Sequence, residues 1–264
     1  MGSATLDPTM LYARPLGGPT AILDFAGLRL LTDPTFDEPG DYDLGRGYSL
    51  TKTAGPAIDP DDIGPIDVVL LSHDQHPDNL DTRGRAFLAR VPRVLTTVSG
   101  AARLGGNATP LPHWAHVEVP RPDGGTLRIT GVPAQHGPDG TDHLTGEVTG
   151  FVLSGDGLPT VYVSGDNASL DVVRAIAARI GRVDIAVLCA GAAQTPLLGE
   201  AHLTLTGRGA ADAARILGAR RVLPVHVDSW AHFSEGIEPL RHAFADAGIA
   251  DRLVLVELGA TAGL

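Results

Sequence analysis

Short apolar runs alternate with polar, turn-rich joints along the whole chain. "TAILDF" (20–25) and "LRLLTD" (28–33) flank Gly27 and predict a hairpin. "IDVVLLS" (66–72) is apolar without a break, the pattern of a strand covered on both faces. Residues 34–66 between them are rich in Pro, Gly and Asp and show no period, which predicts a long loop. "DTRGRAFLARV" (81–91) predicts a helix with Asp81 as its N-cap. A strand at 93–98 and a short helix near 99–104 follow. Strands are then predicted at 116–119, 126–134, 149–154 and 160–165.

The next runs alternate in kind. "SLDVVRAIAARIG" (169–181) has helical spacing, with Asp171 in its first turn and Gly181 at its end. A buried strand at 183–190, a helix at 207–219, a strand at 221–227, a helix at 236–248 and a last strand at 252–258 complete the series. Two strand-rich halves, each with helices, predict an α/β layered sandwich. No composition shift or fixed-period repeat divides the chain, so residues 1–264 read as a single domain.

Composition narrows the function classes. The chain has 264 residues, 43% of them hydrophobic, enough for a buried core. The net charge of −11 and the lack of a Lys/Arg cluster argue against nucleic-acid binding. Cys189, the only cysteine, lies in the apolar run "DIAVLC" and reads as a buried structural thiol. The N-terminal "MGSATLDPTMLYARPLGG" lacks the basic-then-apolar order of a signal peptide. No apolar run approaches the ~18 residues of a membrane span. The expectation is a cytoplasmic protein without membrane insertion, acting on a small-molecule substrate, in a form that allows a homo-oligomer.

Candidate chemistry gathers where buried strands end. His73 to Asn79 follow "VVLLS", His136 follows "ITGVPAQ", Asp166 follows "VYVSG" and His226 follows "RVLPV". Strand ends at one edge of a layered sheet converge on a shared site. Imidazole and carboxylate together are the usual ligands of zinc, manganese or iron. His113, His116, His143 and His242 read as ordinary surface or core residues.

This order of residues resembles the metallo-β-lactamase superfamily of metal-dependent hydrolases. "SHDQHPDNLD" is similar to its first motif, His-x-His-x-Asp-His after a buried strand. "PAQHG", "SGDN" and "PVHVDSWAHF" match its later His, bridging Asp and last His, and "LRLLTDPTF" matches its N-terminal hairpin, with Asp33 in a supporting turn. The closest branch holds ascorbate-6-phosphate lactonase-like and phospholipase-D-like members. The resemblance implies a four-layer αββα sandwich and one or two divalent ions, zinc or manganese. It implies His73, His76 and His136 at one metal site, and Asp78, Asn79, Asp166 and His226 at the other.

The loop departs from the family motif by one inserted residue and by Asn79 in place of a histidine. Gln75 is then spare or a weak partner. An amide oxygen is a weaker and harder ligand than imidazole, so the second site is expected to be the weaker. The implied chemistry is cleavage of an ester, lactone or phosphodiester by metal-bound hydroxide. Asp166 would position the hydroxide, and His232 would donate to the developing oxyanion. His202 is a candidate for a supporting role. The rival reading is a degenerate, non-catalytic ligand- or metal-binding protein on the same fold. An oxidoreductase with two irons ranks last, because Asn79 removes an imidazole.

Overall fold

The computed structural model describes residues 7, 9–45 and 47–264. Its strands, in chain order, are β1 (Tyr12–Gly17), β2 (Thr20–Phe25), β3 (Leu28–Thr32), β4 (Gly40–Asp43), β5 (Ser49–Lys52), β6 (Val68–Leu70), β7 (Val94–Thr96), β8 (Ala108–Pro110), β9 (His116–Pro120), β10 (Thr126–Pro133), β11 (Thr149–Ser154), β12 (Val161–Val163), β13 (Ile185–Cys189), β14 (Arg221–Val225) and β15 (Ala262–Gly263). The helices are α1 (Thr82–Phe87), α2 (Val98–Leu104), α3 (Asp142–Thr145), α4 (Leu170–Ile180), α5 (Gly207–Leu217) and α6 (Ile237–Asp246).

One sheet runs in the order β15-β1-β2-β3-β6-β7-β8 and the other in the order β14-β13-β12-β11-β10-β9. Three apolar cores separate four layers. Leu23, Leu30, Leu70, Phe151, Val163 and Val187 pack between the sheets. Tyr162, Ile176, Ala214 and Phe244 join the second sheet to α4, α5 and α6. Phe36, Val69, Leu80 and Phe87 join the first sheet to α1. This is the expected αββα sandwich.

Strand direction places the site. β10 and β12 each pair antiparallel with β11, while β12, β13 and β14 pair parallel. The ends of β10, β12 and β14 therefore open on one edge of the second sheet. β6 runs parallel to β3 and β7 in the first sheet and brings Ser72 and His73 to the same edge. Asp81 caps α1 as expected, accepting from Gly84 N at 2.8 Å.

Two expectations are corrected. The segment at 34–66 is not all loop, since β4 and β5 form a hairpin inside it. Only four residues pair on each side, too few to show as a period among the surrounding Pro and Gly. Residues 252–258 do not form a strand. Leu253 makes one bridge to Val222 and Val254 N donates to Val222 O, but the run stays half-buried with no further partner. β15 closes the first sheet instead, against β1. Of the stretch read for a leader, residues 1–6 and 8 lie outside the described residues. Among the described residues no helix is long and apolar enough to cross a membrane.

Candidate metal centre

Three imidazoles meet where β6, the loop after it and β10 come together. His73 Nε2 lies 2.9 Å from His76 Nδ1, and His136 Nε2 lies 3.2 Å from the same atom. The ring centroids are 4.8–5.2 Å apart. His73 and His136 are buried and His76 is half-buried at the floor of a cleft.

The far ring nitrogens fix two tautomers. Leu203 O can only accept, so His136 Nδ1 donates to it at 2.9 Å and Nε2 carries the lone pair. Ser72 Oγ donates to Asp33 Oδ2 at 2.9 Å and so accepts from His73 Nδ1 at 3.0 Å, which turns the His73 Nε2 lone pair inward. Two acceptor nitrogens thus face the single Nδ1 of His76, which has at most one proton to share between them. A cation answers all three lone pairs at once. Burial, reinforced by the neighbouring imidazoles, holds His73 well below the usual histidine range and lowers His76 to about 4. Both are neutral at physiological pH, the state in which an imidazole nitrogen can take a metal ion.

The second cluster is built differently. His226 ends β14 and stands between two carboxylates. Its Nε2 is 3.3 Å from Asp78 Oδ2 and its Nδ1 is 3.3 Å from Asp166 Oδ1. Neither approach has hydrogen-bond geometry, and both ring nitrogens, Asp78 Oδ1 and Asp166 Oδ2 are buried without a partner. Buried polar atoms left this way are costly unless something else engages them. An ion beside these atoms fits a donor set of carboxylate and imidazole. Burial pushes Asp166 and Asp78 up, but the facing imidazoles outweigh it and hold both carboxyls well below their ordinary value. Burial lowers His226, but the two carboxylates outweigh that and raise it well above its ordinary value.

The backbone is bent to make this cluster. His226 has φ of 58°, a left-handed conformation that costs a bulky residue of order 1 kcal/mol or more. Gly165, before Asp166, has φ of 56°, and a Cβ there would lie 2.5 Å from Thr149 O. Only glycine lets the β12 turn approach that closely.

The expected residues mostly assemble here. His73, His76 and His136 converge, and Asp78, Asp166 and His226 lie beside them. His232 Nε2 is 3.1 Å from Asp78 Oδ2, so it joins this cluster and lines the cleft. Gln75 is exposed and packs beside Gly146, away from the histidines. Asn79 is buried and turns its amide nitrogen to Asp33 Oδ2 and Asp166 Oδ1, each at 3.3 Å. Asp33 supports the site as expected. Ser72 N and Oγ both donate to it, and burial raises its carboxyl to about 7. His202 is corrected. Its ring makes no hydrogen bond to the cluster, and its neighbour Leu203 supplies the supporting carbonyl.

Sequence reasoning missed two neighbours. Ser72 relays between Asp33 and His73, and its position directly before the motif was the available signal. Cys189, read as structural, lies with Asp166 and His226 in a group whose ligand atoms are within 4.8 Å of one another. Burial, then the Asp166 charge, pushes its thiol up to about 12. The apolar run around it gave no hint of this company.

Comparison with known proteins agrees with the geometry. The family model described as "Beta-lactamase superfamily domain" matches residues 28–227. A metal-dependent hydrolase from Anaeromyxobacter sp. (strain K) is 30% identical over 227 residues, which is 82% of this chain and 74% of that protein. Another from Pyrococcus horikoshii is 25% identical over 202 residues, 75% of this chain and 82% of that protein. The crystal structure of an isothiocyanate hydrolase from Delia radicum gut bacteria superposes with a TM-score of 0.77 at 22% identity. It covers 95% of this chain and 98% of its own, a likeness of fold. The chain belongs to the beta-lactamase superfamily.

Proposed function

We propose that this member of the beta-lactamase superfamily is a metal-dependent hydrolase that cleaves an ester, lactone or phosphodiester bond in a small molecule. The observation that carries this reading is the meeting of three imidazoles from two distant parts of the chain, the loop after β6 and the end of β10, two of them with tautomers set from behind. His73, His76 and His136 would hold one divalent ion, zinc or manganese. Asp78, Asp166 and His226 would hold a second ion more weakly, because Asn79 offers no imidazole. When bound, such an ion brings the pKa of a water down toward neutrality and polarises the oxygen of the scissile bond.

The chain's own groups do the rest. Asp166, fully buried and held ionised, orients the attacking water and takes its proton. His232 lines the cleft with its Nε2–H given to the Asp78 carboxylate, so it would donate through Nδ1 to the oxygen that gains charge only as the doubly protonated ring. Asp33 and Ser72 keep His73 in one tautomer, the support from behind that metal-binding histidines usually have. The whole chain acts as one domain.

The test is metal content per chain by elemental analysis, before and after adding zinc or manganese, followed by turnover on esters, lactones and phosphodiesters. The isothiocyanate hydrolase of the same fold adds isothiocyanates to that screen. One or two ions per chain with turnover on one of these classes is the expected result. A chain that stays metal-free after reconstitution overturns the reading in favour of a non-catalytic ligand-binding protein.

A further inference from the structure

The cleft over the histidines carries a second message. Its floor is polar, with His76, Asp78, His136 and His232. Its walls are not. Leu44 and Leu50 come from the β4–β5 hairpin, Leu144 from α3, and Leu197, Leu198 and Leu203 from the segment before α5. Leu197 is 37% exposed, one of four large hydrophobic side chains left so open among the described residues. One open leucine is ordinary, but six leucines from three segments around one cleft form a contiguous apolar surface of the kind that marks a binding site. The free space enclosed is small, about 30 Å3, so the cleft suits a slim group.

Charge points the same way. Among the described lining residues there is no lysine or arginine. Lys52, the nearest candidate by position on β5, is buried in an ion pair with Asp81 at 2.9 Å and has no free charge to offer. Asp78 puts a carboxylate on the floor of the cleft, while His226, the group that faces it, is buried behind the floor and outside the lining. The chain as a whole carries −11. Tyr48, Thr145, Gln194 and Thr195 are the polar side chains on the wall, and none of them offers a positive charge; Gln194 donates to Glu200 O, Thr145 to Thr141 O, and Thr195 Oγ1 accepts from Leu197 N.

We infer that the leucine walls receive the uncharged, apolar portion of a small neutral substrate, and that the site discriminates against substrates carrying a negative charge at that end. This rests on the hydrolase reading above and narrows its substrate class to neutral esters or lactones with an aliphatic or aromatic tail.

The test keeps one leaving group and varies the tail. Metal-loaded protein is assayed with p-nitrophenyl acetate, butyrate and hexanoate, and with the p-nitrophenyl monoester of adipic acid, which ends in a carboxylate. kcat/KM should rise about fourfold per methylene until the cleft is filled, the gain from burying a methylene. The terminal carboxylate should cost about 30-fold or more against hexanoate, since a charge must be stripped of water among leucines. Leu144→Asp and Leu197→Asp, both at the open side of the cleft, should flatten the chain-length trend. The series is repeated with Arg46→Ala, because Arg46 lies between Leu44 and Tyr48 in sequence and outside the described residues. A flat trend, or a carboxylate that is cleaved as well as hexanoate, overturns the inference.

Binding separates this inference from the hydrolase reading. Saturation-transfer NMR with unreactive hexanamide and with its ω-carboxylate analogue, adipamate, reads the walls without turnover. No cleavage of any ester together with selective hexanamide binding, lost in Leu144→Asp, would sink ester hydrolysis and keep the inference. Equal binding of the two amides would sink the inference whatever the enzyme cleaves.

Discussion

The two halves of the centre hold the same kind of atom in opposite electrical settings. In one, three imidazoles face one another, and burial keeps His73 and His76 neutral. In the other, His226 sits between two ionised carboxylates and is raised well above its ordinary value. The first half is held from behind, with its lone pairs turned inward, through Ser72, Asp33 and Leu203 O. The second half can balance its charge with a proton on His226, and Asn79 already donates to Asp166. An imidazole is therefore a neutral ligand or a counter-ion according to what surrounds it. The replacement of one ligand by Asn79 falls on the half that can tolerate an absent ion.

The sharpest way to break the comparison is His136→Ala. It removes one of three nitrogens from the half that depends on them, and metal affinity should fall more than the ~10–100-fold typical of losing a supporting partner. Elemental analysis after equilibration with limiting zinc reads this, and a variant that keeps full metal content would refute the ligand assignment. Ser72→Ala leaves all ligands in place but frees the His73 tautomer, and affinity should drop about 10- to 100-fold. An unchanged zinc titration would show that the relay from Asp33 does nothing.

Asn79→His restores the family motif in the weaker half. Occupancy of a second ion should rise about tenfold or more in affinity, the scale of one charge-assisted contact, seen as a second step in the titration. A titration indistinguishable from that of the unsubstituted chain would show that position 79 does not contribute to a second ion. A further effect falls on the metal-free protein. His76 has a folded pKa of about 4 against 6.5 unfolded. Between those values the unfolded chain takes up a proton that the fold refuses. Stability is therefore lost as pH falls from 6.5 toward 4, on the order of 2–3 kcal/mol for this group. His226 has the opposite sign, stabilising at low pH and losing its contribution as pH rises through its raised pKa. Melting temperature against pH, with zinc and with chelator, checks this. Zinc should raise the curve and carry the acid limb to lower pH, because a bound ion excludes the His76 proton below 4 as well; a chelator curve that is flat between pH 6.5 and 4 would mean that the His76 proton is not linked to folding.

Much of the centre was legible because each ligand follows a run whose pattern is local. "VVLLS", "ITGVP", "VYV" and "RVLPV" announce buried strands, and the residue after each is where a strand meets solvent. The β4–β5 hairpin was not legible, since four residues per strand among Pro and Gly carry too little period. Residues 252–258 misled in the other direction. Their Leu and Val favour a strand, but β14 engages them at one bridge only, and propensity without a partner makes no sheet.

By itself the sequence determined the layered fold, the edge at which the polar residues gather, and the identity of six ligand candidates. It also raised the expectation that Asn79 stands where the resembled family motif has a histidine. Only the tertiary structure decided what surrounds each of them. It placed Ser72 behind His73, Leu203 O behind His136, His232 against Asp78, and Cys189 beside Asp166 and His226. It also turned leucines from three distant segments into the walls of one cleft. Period and spacing are properties of neighbours along the chain. The charge state of a histidine and the polarity of a cleft are set by neighbours in space, and those are fixed only when the two sheets close on each other.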